Sequence, residues 1–90
     1  MRQDEKKPLT NSQIRAARAL LGWTANELSR QSAVSLRTIQ RAELQETSMT
    51  AANDLAVRRS LEAAGVEFID GNGGGPGVRL RRAHQQRKRK

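Results

Sequence analysis

The sequence predicts a mainly α fold: four short helices, then a C-terminal β-hairpin and a basic disordered tail. Three observations carry this. First, one pattern recurs three times, an apolar residue, a Ser or Thr, and a second apolar residue four positions into the next helix. It occurs at Leu9-Thr10-Ile14, Trp23-Thr24-Leu28 and Val34-Ser35-Ile39. Such a staple around an N-cap marks where a helix begins. Second, the period changes after Gly65, where VEFI and VRLR nearly alternate and a Gly-rich stretch separates them. Third, the charge is partitioned along the chain, and most of the excess lies at its C-terminal end.

Helix 1 is predicted over Asn11 to Leu21. Thr10 caps it, Gln13 at N3 completes a capping box, and Gly22 suits the left-handed position after its end. Ile14, Ala17 and Leu21 share an apolar face, which Leu20 widens. In the stretch TANELSRQSAVSLRTIQRAE, Thr24 to Glu43, a second capping box is expected between Thr24 and Glu27, and Ser35 opens a third helix. The residues between leave room only for a sharp corner, with Ala33 in it. Leu28, Val34, Ile39 and Ala42 form the inward set. Leu36, Arg37, Gln40, Arg41 and Leu44 fall on one face of the third helix. A short helix with Arg and Gln on its free face is what reading base edges in a DNA major groove requires.

A polar connector follows from Leu44 to Met49. Helix 4 is predicted from a Thr50 cap to about Ala64, closed by Gly65, with Val57, Leu61 and Ala64 inward and Arg58, Arg59 and Glu62 on the solvated side. Val66–Ile69 and Val78–Arg81 form the hairpin, Val78 and Leu80 facing in, Arg79 and Arg81 out. A two-stranded hairpin is marginal alone, so it must pack on helix 4 or on another chain. The glycine run is a flexible hairpin loop: no Lys-Ser/Thr follows it, no helix opens after it, and its spacing fails the dinucleotide fingerprint. The expected organisation is a disordered arm at 1–8, a helical domain at 9–65, the hairpin at 66–82 and a basic tail at 83–90.

Ninety residues make one small domain. The absence of cysteine excludes a disulfide framework and a thiolate metal site. No apolar run approaches transmembrane length and MRQDEKKP has no signal-peptide core, so a cytoplasmic protein without membrane association is expected. The net charge of +8 points to a polyanionic partner. Yet Pro8 to Asp70 holds seven basic residues and seven acidic ones, whereas Gly71 to Lys90 holds seven basic residues and no acid. The domain is formally neutral and the tail carries the charge. The folded part has no Cys, His or Tyr, and its carboxylates sit at caps and helix faces, so no enzyme, metal or cofactor is expected. His84, the single histidine, has no ligating neighbour.

IRAARALLGW and TANELSRQSAVSLRTIQRAE, with their spacing, resemble the lambda repressor/Cro-like helix-turn-helix domain of the XRE family over roughly Leu9 to Ala64. GVEFID and GGGPGVRLRR also resemble the end of many short bacterial regulators of that family. The resemblance implies a four-helix, lambda-repressor-like domain that binds double-stranded DNA and regulates transcription. It places Leu36, Arg37, Gln40 and Arg41 on the base-reading face. Thr24, Asn26, Arg30, Ser35 and Thr38 fall at phosphate-contacting positions, and Arg87, Lys88, Arg89 and Lys90 of the tail would add phosphate affinity. Arg18 and Glu43 match an interhelical ion pair of the family. The sequence departs from the pattern at Ala25, where a phosphate-contacting Gln is common, at Ala33 in place of the turn glycine, and near Gln45-Glu46, where a glycine is common.

The implied function is sequence-specific DNA binding by a homodimer, joined through the hairpin. The alternative is a protein-binding module on the same scaffold, an antitoxin or antiactivator, favoured by the neutral domain and by Leu36 and Leu44 on its surface.

Overall fold

A computed structural model describes residues 7–44, 48–71 and 73–81. It contains α1 (Asn11–Leu21), α2 (Ala25–Ser32), α3 (Leu36–Glu43), α4 (Ala51–Ala63), β1 (Val66–Ile69) and β2 (Gly77–Leu80). The described residues are mainly helical, with one two-stranded antiparallel sheet among them. The expectations for residues 1–6, for Gln45 and Glu46, and for the tail with His84, Arg87, Lys88, Arg89 and Lys90 lie outside the described residues.

Every helix starts where a hydroxyl satisfies a backbone N–H that the first turn leaves unpaired. Thr10, Thr24, Ser35 and Thr50 each accept from the amide three residues on. The capping box at Thr10 is complete, since the Gln13 side chain accepts from the Thr10 amide at 3.0 Å. At Thr24 only half of the expected box forms. The Glu27 carboxylate instead accepts from Gln31, at 2.7 Å, and from Arg30. Glu27 thus takes the i+3 and i+4 partners on its own helix face rather than the backbone amide behind it. The same two contacts, Gln31 first, hold the Glu27 carboxyl below its ordinary value.

The corner between α2 and α3 turns on Ala33, at φ 62 and ψ 22. A Cβ in this left-handed region costs roughly 1–2 kcal/mol. The corner is held by its neighbours: the Ser29 hydroxyl donates to the Val34 carbonyl at 2.7 Å, and the Val34 amide donates to the Ser32 hydroxyl at 3.2 Å. Replacing Ala33 by glycine should relieve the strain and raise stability by about 0.5–1 kcal/mol, a rise of a few degrees in thermal denaturation. A lower melting temperature in that variant would show that the corner is not strained.

Ile14, Ala17, Leu28, Val34, Ile39, Ala42, Val57, Leu61 and Val66 form the buried core, and Leu21, Trp23, Phe68, Val78 and Leu80 pack against it. Two expected core positions stay outside. Leu20 is 40 % exposed, because β1, β2 and α3 approach α1 on its other faces. Ala64 is exposed at the C-cap of α4, and Val66 fills the core beside Leu61 instead.

The hairpin pairs Val66 with Leu80, Glu67 with Arg79, Phe68 with Val78 and Ile69 with Gly77. β2 thus starts one residue before the expected strand. Val66, Phe68, Val78 and Leu80 face inward, toward α1 and α4, as a half-buried antiparallel pair requires. Outside, Arg79 donates to Glu67 at 3.1 Å, and that bond is the main reason the Glu67 carboxyl lies below its usual value. Gln13 ties the hairpin down, its buried amide donating to the carbonyls of Gly77, at 3.1 Å, and Ile69, at 3.4 Å. A Cβ on Gly71 would lie 2.8 Å from the Gly74 carbonyl oxygen.

Arg58 is the largest correction. The sequence pattern puts it in solvent on α4, but it is 5 % exposed. The hairpin folds over it and sets the Phe68 ring 5.3 Å from its guanidinium carbon, and it donates to the Lys7 carbonyl at 2.9 Å. Lys7 therefore joins the fold rather than the expected disordered arm, and Leu9, expected within the domain, donates its amide to Asp54 at 3.0 Å.

Candidate nucleic-acid interface

The core fixes the orientation of α3. Ile39, Ala42 and the side chain of Glu43 point inward, so Arg37, Gln40 and Arg41 must point out, and all three are exposed. Leu36, beside them, is half-buried. Arg37 and Arg41 stand one turn apart, about 6 Å along the helix axis.

Arg18 and Glu43 hold α3 to α1. The Arg18 Nε donates to Glu43 Oε2 at 2.7 Å and Nη2 to Oε1 at 2.8 Å, a bidentate pair. Nη1 donates to the Trp23 carbonyl at 2.9 Å. The side chains are 21 % and 9 % exposed, so the pair is largely screened from water. The hydrogen bond to Glu43 is the main cause that raises the Arg18 pKa, against the opposing pull of burial. With its carboxylate engaged by Arg18, Glu43 carries no free negative charge onto the outer face of α3.

The expected phosphate positions divide. Asn26 is exposed in the first turn of α2. Thr24 and Ser35 use their hydroxyl oxygens as helix caps, and the Ser35 hydroxyl also donates to Thr38 at 2.9 Å. Arg30 is paired with Glu27 at the surface, and such exposed pairs are weak enough to open for a stronger anion. Arg87, Lys88, Arg89 and Lys90 are outside the described residues.

One feature beside α3 has almost no trace in the sequence. Thr38 and Arg41 line a cleft of about 180 Å3 together with Ser48, Met49, Thr50 and Asn53. The cleft brings Arg41 beside the N-terminus of α4, where Thr50 caps the Asn53 amide at 3.1 Å. Its only signal in the sequence is the Thr50 cap, and nothing local says that Arg41 lies next to it.

Pairing of charges decides what a formally neutral domain presents. Arg18 is tied to Glu43, Arg30 to Glu27 and Arg79 to Glu67. Arg37 and Arg41 form no ion pair or hydrogen bond through their side chains among the described residues, so α3 shows two uncompensated positive charges. No protein-family model and no curated protein matches the chain. No helix among the described residues is long and apolar enough to cross a membrane.

Proposed function

We propose that the chain is a sequence-specific DNA-binding regulator of transcription, with α2 and α3 acting as a helix-turn-helix of the lambda repressor/Cro-like, XRE kind. One observation carries the reading: Arg37, Gln40 and Arg41 stand exposed on one face of α3, and the two arginines lack partners among the described residues. Arginine forks match the O6 and N7 acceptors of guanine, and a Gln amide matches adenine. The spacing of about 6 Å between Arg37 and Arg41 approximates two base-pair steps, about 6.8 Å along the duplex.

In this reading Leu36 offers an apolar edge to a thymine methyl. Asn26 and the N-terminus of α2 bind phosphate on one side, and the N-terminus of α4 at Thr50 and Asn53 offers a second phosphate position beyond α3. The C-terminal tail contributes sequence-independent affinity. The protein acts as a homodimer, because a single short helix reads few base pairs and the two-stranded sheet leaves a free edge on each strand.

Selection of bound sequences from a random duplex pool tests this directly. The expected product is a pseudo-palindromic site with half-sites about one turn apart, ~34 Å between centres. Recovery of no enriched sequence at physiological salt would overturn the regulator. An enriched single half-site, with a monomer in sedimentation, would overturn the dimer alone.

A second reading, a protein-binding module, rests on Leu44. It is 65 % exposed at the end of α3, on the same surface as Arg41. The pool selection separates the two, since a protein-binding module enriches nothing.

A further inference from the structure

Two arginines of this domain are drawn out of water, and their surroundings differ. Arg18 gives two of its donors to a carboxylate and a third to a carbonyl. Arg58, at 5 % exposure, has no carboxylate partner among the described residues. A guanidinium carries five N–H donors. Arg58 places one on the Lys7 carbonyl, and its contact with the Phe68 ring stabilises the charge without accepting a conventional hydrogen bond. Burying a cation normally demands an anion and filled donors.

Arg58 borders a cleft of about 170 Å3, lined also by Lys7, Thr10, Gln13, Asp70 and Gly71. That volume is several times the share of one water molecule in the liquid, roughly 30 Å3. α1 opens at its wall. The Thr10 cap and Gln13 lie there, and the first turn of α1 has no acidic residue to offset the positive end of the helix dipole. Lys7 adds a second cation. Among the described residues that line the cleft, the one opposing charge is Asp70, which is exposed and forms no ion pair among the described residues.

We propose that this cleft binds a small oxyanion, a carboxylate or phosphate group of a small molecule, held by Arg58 with Lys7 and the start of α1. A planar guanidinium offers such a group two parallel hydrogen bonds, which a single-point cation cannot. The site is built from α1, α4 and the hairpin loop and uses none of the α3 residues, so it stands independently of DNA recognition.

The full chain, labelled with 15N, is titrated with sodium phosphate, sodium acetate and sodium chloride at matched ionic strength, and the Arg58 Nε–H and Gly71 amide resonances are followed. A saturable shift of both with phosphate or acetate, absent with chloride, is the expected result. Response to phosphate alone identifies a phosphate group as the ligand, to acetate alone a carboxylate, and to both a general oxyanion site. The absence of a saturable shift with either overturns the proposal. Asp70→Asn should tighten binding and Lys7→Ala weaken it, each roughly three- to tenfold, through loss of one nearby charge. Both are surface changes, and Lys7→Ala keeps the carbonyl that Arg58 uses. Unchanged affinity in both variants would place the anion elsewhere, on the basic tail, and overturn the site.

Discussion

Replacing Glu43 with alanine is expected to lower the unfolding free energy by about 3 kcal/mol, the lower end of the ~3–5 kcal/mol found when one partner of a buried pair is removed. The lower end applies because Arg18 keeps 21 % of its side chain in water and can recover part of its hydration. At roughly 4–8 °C per kcal/mol for a domain of this size, the melting temperature should fall by about 12–24 °C. The loss arises less from the pair than from what remains: a guanidinium between α1 and α3 whose sole surviving bond among the described residues is to the Trp23 carbonyl. A paired variant, Arg18→Met with Glu43→Leu, should therefore recover most of the stability, since apolar replacements of a buried pair are often neutral or better. Circular dichroism melts of the two variants test both statements. An unchanged melt for Glu43→Ala would show that the pair does not hold α3 in place.

The consequence reaches the surface. Glu43 stands two residues after Arg41, and its side chain is turned inward by Arg18. Without that pair, a carboxylate near the end of α3 would face a polyanion. In the proposed function the ion pair thus couples packing to recognition, fixing the rotation of α3 and removing a charge that would oppose DNA.

Local signals in the sequence reported the helices well. The hydroxyl caps at Thr10, Thr24, Ser35 and Thr50, and the left-handed positions at Gly22 and Ala33, are consequences of one or two neighbouring residues, and the structure has them. Long-range contacts were not legible. Gln13 satisfies a local box, and nothing beside it says that the hairpin crosses α1 and turns its amide into a tie to Ile69 and Gly77. Arg58 follows Val57 on α4, and its burial depends on Phe68, ten residues away and across a strand start. A charged residue next to an apolar stripe reads as solvated unless the element that covers it is already placed. The same limit applies to the candidate interface. The helical face of Arg37, Gln40 and Arg41 follows from periodicity, whereas the cleft that joins Arg41 to Thr50 and Asn53 depends on how α4 returns beside α3.

The double variant Arg37→Ala/Arg41→Ala should lose sequence discrimination and keep its fold. Both side chains are exposed and make no side-chain contact that the fold requires among the described residues, so the melt should stay within about 0.5 kcal/mol of the parent. Each bidentate contact with guanine is worth ~1–3 kcal/mol of discrimination, so the pair should contribute about 2–6 kcal/mol, or roughly 30-fold to more than 10,000-fold between the selected site and random duplex. Truncation after Arg82 makes the opposite prediction. It removes Arg87, Lys88, Arg89 and Lys90, four cations without a matching acid. Affinity for every duplex should then fall by a common factor, and the slope of log K against log salt should flatten, by up to ~0.9 for each phosphate that the tail no longer neutralises. Measured together at two salt concentrations, the variants separate discrimination by α3 from attraction by the tail. A truncated chain that bound selected and random duplex equally would place the sequence preference in the tail. It would leave the exposed arginines of α3 without the role assigned to them.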